Sequence, residues 1–234
     1  MVAEHKIGID YGGTKIEGIL LDYKGKEVLR KRSTYEKNYD SGIKTVNSLV
    51  SEFDNHTGTK NTVGIGIPGS SSNETGLIKN ANSIWLNDKP FKKDLEDTLQ
   101  REVRIMNDAN CFALSEAIDG SGAKFKSVWG VIIGSGFGGS FVFNKKVIEG
   151  VNQVAGDWGH QPLPYPTQEE FDLNVQCKVG NCQRPLCAEQ FISGIGFTKI
   201  FNNKYGTNLR TREIVALEAN GDERAKKEFD LYED

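Results

Sequence analysis

The sequence predicts an α/β protein made of two related domains, each laid around a mixed sheet. Three observations carry this. Strand-like and helix-like stretches alternate through the first half. A strand, glycine turn, strand unit opens at Ile7 and recurs at Val128. Between the two units, residues 120–126 turn to Gly, Ser and Lys, the composition of a domain boundary. The expected domains are therefore 1–120 and 121–234.

The first strand is marked by Ile7 and Ile9 alternating with smaller residues, and Lys15 to Leu21 resumes an apolar run after Gly12-Gly13. Gly25 to Arg32 reads as a third strand. Gly42 to His56 then carries Ile43, Val46, Val50 and Phe53 at helical spacing, an amphipathic helix over a sheet. Thr62 to Ile67 is a short apolar strand that ends in Pro68-Gly69 and a polar loop, residues 70–82, of a length usually tied to function. A helix over Phe91 to Glu102 leads into a strand at Val103 to Met106, and Asn107-Asp108-Ala109-Asn110 opens a third helix reaching Ile118. Past the boundary, Val128 to Ile133, a glycine turn over Gly134 to Gly139 and a strand over Ser140 to Phe143 repeat the opening pattern. Thr211 to Asp234 reads as charged helix.

The chain has 234 residues and 37% hydrophobic content, enough for a full core. Net charge is −3 and no Lys/Arg run forms a basic patch, which argues against nucleic acid or an anionic membrane as main partner. Residues 1–6 lead almost directly into the first strand, leaving no room for a signal peptide, and no apolar run approaches membrane-spanning length, so the expected location is the cytosol. Of four cysteines, Cys111 stands alone while Cys177, Cys182 and Cys187 cluster. That is too local for a secreted disulfide framework and suggests metal in a reducing compartment.

The first glycine turn places Asp10 before Gly12 and Gly13. These glycines can take positive φ and turn N–H groups toward an anion, while Asp10 can hold a metal ion directly or through water. Alone, the stretch is equally an ordinary Gly-Gly hairpin. Two G-x-G-x-x-G matches occur, Gly64/Gly66/Gly69 and Gly134/Gly136/Gly139, but neither follows a strand and opens a helix, which disfavours a nicotinamide cofactor. Asp108 sits at a strand-to-helix junction, where an Asp is more often a helix cap. A lone His160 is more often a packed histidine, and only the cysteines downstream favour metal.

Together these residues resemble the ROK family of sugar kinases, within the actin, heat-shock and hexokinase superfamily. The motifs are Gly8-Ile-Asp10-Tyr-Gly-Gly-Thr14-Lys15, Gly66-Ile-Pro68-Gly69, Asn107-Asp108-Ala-Asn110, Gly134-Ser-Gly-Phe-Gly-Gly139, Asp157-Trp-Gly-His160 and the cysteine cluster running into Glu189, in the family's order. Asn80-Ala-Asn82-Ser83, Trp85-Leu-Asn87 and Arg101-Glu-Val103 most resemble bacterial fructokinases that also take mannose.

The resemblance implies two actin-like (ribonuclease H-like) α/β domains around a cleft, binding ATP with Mg2+ and a hexose. Fructose, converted to fructose 6-phosphate, is the expected sugar, with glucose, mannose, N-acetylglucosamine or N-acetylmannosamine as alternatives. Asp108 would be the general base. Asn107, Gly69, Asn82, Asp157, His160 and Glu189 would contact the sugar. Asp10, Gly12, Gly13, Thr14 and Lys15 would form one phosphate turn, and Gly134, Gly136, Gly138 and Gly139 the other. His160, Cys177, Cys182 and Cys187 would hold a structural Zn2+. A homodimer is among the assemblies expected.

Three departures stand out. Position 157 is Asp where the family carries Glu, one methylene shorter. In the family's C-x-C-G-x-x-G-C zinc motif, Gly180 takes the first cysteine's place and Cys177 lies three residues upstream. After Phe197, the family's further strand, adenosine-contacting Gly-Gly turn and closing helix find no counterpart, which leaves two readings: a fragment, or a natural variant with an incomplete second domain and nucleotide site. On the latter, sugar binding would outlast ATP binding. The competing functions are a hexose kinase, a family repressor, disfavoured because only six residues precede the first glycine turn's strand, and a zinc-stapled, non-catalytic sugar-binding protein.

Overall fold

The structure is a computed structural model of the chain and describes residues 5–156, 158–178 and 182–233. They divide into two compact units, one running to Phe112 and rejoined by Glu149–Val154, the other formed by Ala113–Ile148 and the residues from Ala155 onward. The division falls inside a helix, upstream of the 120/121 boundary expected from composition. Each unit is described by itself.

In the first unit, β1 (Lys6–Tyr11), β2 (Lys15–Leu21) and β3 (Glu27–Thr34) form an antiparallel meander, followed by α1 (Tyr39–Thr57) and β4 (Thr62–Ile67). A two-residue ladder, β5 (Ser70–Ser71) with β6 (Ile78–Lys79), interrupts the loop expected over residues 70–82. Then come a 3-10 turn (Ile84–Leu86), α2 (Phe91–Leu99), β7 (Val103–Asn107) and α3 (Asp108–Ile118). The sheet order is β3-β2-β1-β4-β7, with β1, β4 and β7 parallel.

Alternation fixes the register: Ile7, Ile9 and Tyr11 of β1 and Ile16 and Leu20 of β2 are buried, and Val46, Leu49, Val50 and Phe53 of α1 pack on that face. Gly18 lets the helix approach, since a Cβ there would lie 2.6 Å from the Phe53 ring. Asn38 caps α1 by accepting the Ser41 N–H at 2.8 Å, and Gly58, at φ 70°, ends it. α2 stops at Leu99, short of the expected Glu102, because Gln100 turns left-handed (φ 51°) without a glycine or proline to announce it. Arg101 is thereby aimed at Asp54 and at the Asn61 carbonyl, 2.9 Å away.

The second unit contains β8 (Ser127–Ile133), β9 (Phe137–Phe143) and β10 (Lys146–Val147) in the order β10-β9-β8. This repeats the β3-β2-β1 meander, the duplication read from the sequence. The turn is shorter than expected, however: Ile133 pairs with Phe137, so only residues 134–136 turn, and Gly138 and Gly139 lie in β9. α4 (Gln168–Asp172), α5 (Ala188–Ile192), α6 (Gly194–Tyr205), α7 (Thr211–Ala219) and α8 (Glu223–Glu233) follow. Residues 211–233 are therefore two helices, broken where Gly221 takes φ 81° and Asp222 accepts the Arg224 and Ala225 N–H groups. Phe197, Phe201, Ile214 and Ala225 join α6, α7 and α8 in one small core. No described helix is long and apolar enough to cross a membrane.

Candidate functional site

Asp10, Gly66 and Asn107 come to the same edge of the first sheet. Asp10 pairs with Gly66 and Ile67 with Asn107, so the C-terminal ends of β1, β4 and β7 stand side by side, the edge at which open α/β sheets bind ligands. Gly66 faces Cys111 and Asp108: a Cβ there would lie 3.5 Å from Cys111 Sγ and 3.8 Å from the Asp108 Cα, ordinary packing distances. Burial pushes the Cys111 thiol up to about 11, with the Asp108 and Asp10 charges adding to it, so this lone cysteine is a neutral packing group.

Helix α3 is capped by Asn107 rather than Asp108. The Asn107 Oδ1 accepts the Asn110 N–H at 3.2 Å, and its Nδ2 donates to the Gly69 carbonyl at 3.0 Å. The Asp108 carboxylate accepts its neighbour's N–H, from Ala109 at 2.8 Å. The protein packed around Asp108 pushes its carboxyl above the usual Asp range, and the negative charge of Asp10 pushes the same way. Asp10 is itself raised, by burial first and by Glu17 second, against the opposing pull of Arg32. Two neighbouring carboxylates that both resist ionisation mark this sheet edge as a candidate functional site.

The segment around Gly69 is locked. Its φ is +78°, and a Cβ would fall 2.4 Å from the Lys79 carbonyl and 2.7 Å from the Ala81 N. Asn87 clamps the same strap, accepting the Ala81 N–H at 2.9 Å and donating to the Ala81 carbonyl at 3.1 Å, which fixes the backbone beside exposed Asn82. Gly69→Ala is therefore expected to cost about 1–3 kcal/mol of stability. An unchanged urea midpoint would show that the strap relaxes freely.

The first glycine turn corrects two expectations. Neither Gly12 nor Gly13 has positive φ. The Gly12 N–H does not face an anion, because it closes the hairpin on the Lys15 carbonyl at 3.1 Å, where a Cβ on Gly12 would come within 2.8 Å. Gly13, Thr14 and Lys15 are exposed at the tip. Sequence reasoning missed Tyr35, whose O–H donates to the Gly12 carbonyl at 2.8 Å, and Ser83, buried beside Gly13. Tyr35 carries no motif, Ser83 only ends the Asn80-Ala-Asn82-Ser83 run without a role of its own there, and both reach the turn from distant chain segments.

In the second unit, buried Glu189 accepts the Phe137 N–H at 2.6 Å, at the end of the Gly134–Gly136 turn. A Cβ on Gly136 would sit 3.1 Å from its Oε1, and the Glu189 N–H in turn donates to the Gly159 carbonyl at 2.9 Å. One carboxylate thus ties the turn to the segment carrying His160. Gly139 serves packing inside β9: a Cβ there would lie 2.5 Å from the Gly130 carbonyl and 2.9 Å from Trp158 Nε1. Asp157 and Gly180 lie outside the described residues.

His160, Cys177, Cys182 and Cys187 converge, their donor atoms within 4.8 Å of one another, an arrangement that could hold a metal ion. His160 Nδ1 is 3.7 Å from Cys177 Sγ and 3.6 Å from Cys187 Sγ, and Cys182 Sγ is 4.0 Å from Cys187 Sγ. The displaced Cys177 is brought in by a short antiparallel pairing: its N–H donates to the Arg184 carbonyl at 3.1 Å and Leu186 N–H to the Val175 carbonyl at 3.0 Å. Gln190 Nε2 donates to Cys177 Sγ at 3.7 Å, and Arg184 holds the His160 carbonyl at 2.8 Å. Such outer contacts orient metal ligands.

The fold is that of an α/β protein with a strand, turn, strand meander in each unit. The chain belongs to the ROK family, which it matches over residues 6–234. It is 40% identical over 228 residues to an N-acetyl-D-glucosamine kinase of Escherichia fergusonii, a match covering 97% of this chain and 75% of that protein. The finer likeness to fructokinases expected from the sequence is not supported by this match, which is to an N-acetyl-D-glucosamine kinase. A ROK hexokinase from Thermus thermophilus superposes with a TM-score of 0.79 at 24% identity, covering 96% of this chain and 72% of that one. A ROK glucokinase from Streptomyces griseus, solved with glucose and AMPPNP, gives 0.74 at 22% identity, with 97% and 75% covered. At these identities the structures support the fold.

Proposed function

We propose that this protein is an ATP-dependent hexose kinase and that its sugar is N-acetyl-D-glucosamine. The observation that carries the reading is the 40% identity to an N-acetyl-D-glucosamine kinase across nearly the whole chain, joined to an Asp108 carboxyl relieved of capping by Asn107. In this reading Asn107 holds a ring hydroxyl, and Asp108 takes the proton from the attacking hydroxyl. The hydroxyl oxygen bonds to the γ-phosphorus as its bond to the bridging oxygen breaks, and ADP leaves with that electron pair. Phosphoryl transfer depends mostly on positioning and on neutralising charge at the phosphate oxygens. Gly13 and Thr14 form the exposed N–H-bearing turn suited to that task in the first unit; in the second, the Gly134 N–H is already used by the Gly136 carbonyl at 2.9 Å. Asp10 is the residue placed to hold Mg2+, which when bound would offset the phosphate charge.

Zn2+ fits the His/Cys cluster. Tetrahedral zinc with Zn–S of about 2.3 Å and Zn–N of about 2.0 Å separates its ligands by about 3.6–3.8 Å, close to the 3.6, 3.7 and 4.0 Å found. The ion's role there is structural, since four protein donors close the sphere.

A coupled assay with N-acetyl-D-glucosamine, glucose, fructose, mannose and N-acetylmannosamine tests the function. The highest kcat/KM is expected for N-acetyl-D-glucosamine. A preference for fructose would overturn the sugar assignment, and no phosphorylation of any of the five would overturn the kinase reading.

A further inference from the structure

The first glycine turn is held from behind by a residue outside every family motif. Tyr35, in the link between β3 and α1, donates its phenol O–H to the Gly12 carbonyl at 2.8 Å. Its ring is braced edge-on by Tyr11 at 5.5 Å and Trp85 at 6.2 Å, and Trp85 Nε1 donates to the Tyr11 hydroxyl at 3.3 Å. Tyr11 fits flush against α1 only because residue 42 is glycine, where a Cβ would lie 1.9 Å from its hydroxyl. Ser83, 2% exposed, lies against the same turn, its Oγ 3.4 Å from where a Gly13 Cβ would stand.

The consequence follows from peptide geometry. No cis peptide occurs among the described residues, so the Gly12 carbonyl and the Gly13 N–H, which share one planar trans peptide, point in opposite directions. Fixing the carbonyl on Tyr35 fixes the Gly13 N–H facing away from the aromatic brace. The Gly12 N–H is already used by the Lys15 carbonyl, which leaves the Gly13 N–H as a donor at the exposed tip. A backbone N–H fixed outward at a turn is a donor that an anion can meet. A turn with two adjacent glycines would otherwise be free to rotate that peptide, and a rotated peptide would present a carbonyl to a phosphate. Burial keeps the Tyr35 phenol protonated, and therefore a donor, across the physiological range.

We propose that Tyr35 is a positioning residue for the phosphates of the nucleotide: by holding the Gly12 carbonyl it turns the Gly13 N–H outward as an anion donor, with Ser83 packed behind the turn as its stop. The inference rests on the kinase reading for the identity of the anion. It stands on its own for the direction of the peptide.

The test is titration calorimetry of the wild type and Tyr35→Phe with the magnesium complex of AMPPNP, and separately with the preferred sugar. Phe keeps the ring contacts and removes only the hydroxyl. Nucleotide affinity is expected to fall about two- to tenfold, the worth of one neutral hydrogen bond, with sugar affinity unchanged, a split that general loosening of the fold would not give. Equal nucleotide affinity in the two proteins, whether measurable or absent in both, would overturn the proposal. A second measurement needs no variant: in 15N-labelled wild type, magnesium-AMPPNP is expected to move the Gly13 amide resonance strongly and the Gly12 amide little, and an unmoved Gly13 amide overturns it too. Failure of the kinase reading shows elsewhere, as absent turnover in the hexose panel.

Discussion

Asp108→Asn is expected to lower turnover by about 10²-fold or more while leaving sugar affinity within about threefold. The amide can still meet a sugar hydroxyl and can still accept the Ala109 N–H that Asp108 accepts at 2.8 Å. What it cannot do is take a proton. The fold should tolerate the change, since Asn107 rather than Asp108 caps α3. A turnover number equal to that of the wild type would remove Asp108 from the mechanism.

The pH profile offers a second readout of the same group. Burial, with Asp10 acting in the same direction, raises the Asp108 carboxyl above its ordinary value. A general base works ionised, so kcat/KM should be full above the raised value and fall as pH drops through it. The acid limb is then expected at higher pH than an ordinary Asp, about 3.9, would give. An acid limb at or below that value would mean that another group takes the proton.

The sheet-forming half of this fold was legible because its signals are local. Ile7 and Ile9 alternate, Val46, Val50 and Phe53 repeat at helical spacing, and each pattern follows directly from which face is buried. Glycine was harder to read. Gly136 belongs to the turn, yet Gly139, three residues on, is needed where β9 passes the Gly130 carbonyl and Trp158. A missing Cβ serves a turn and a close contact equally, and the sequence does not say which. The end of α2 was hidden for a related reason: Gln100 adopts a left-handed conformation that residue type alone does not signal.

Site residues divide the same way. Asp10, Asn107 and Asp108 could be singled out only together with the glycine turns and the His/Cys cluster, since each alone reads equally as a turn former or a helix cap. Tyr35 could not, since its contact with Gly12 spans distant parts of the chain and depends on how the link into α1 folds back. The zinc motif was legible in composition and not in spacing. Cys177 is out of place in sequence, and only the pairing of its strand with residues 184–186 returns it to His160. Sugar choice was the least readable, because no residue pattern in the sequence separates one hexose from another.

Removing the metal should have the widest effect. Purified protein is expected to carry about one zinc per chain, and chelation should lower the melting temperature of the second unit, because three cysteines and a histidine left within 4.8 Å lose the cation that holds them together. Sugar affinity should fall with it. Cys187 starts α5 two residues before Glu189, and Glu189 reaches the Gly134–Gly136 turn through the Phe137 N–H at 2.6 Å, so movement of the cysteine loop is transmitted to both. Cys177→Ser separates the ligand assignment from the general presence of metal. Loss of an outer-shell partner already costs about 10–100-fold in metal affinity, so loss of a direct thiolate ligand should cost on the order of 10²-fold or more, read by competition with a zinc-binding dye. Metal analysis that finds no zinc would sink the site. Zinc held as tightly by Cys177→Ser as by the wild type would instead show that His160, Cys182 and Cys187 bind without it, and that the displaced cysteine is only a packing residue donated to by Gln190.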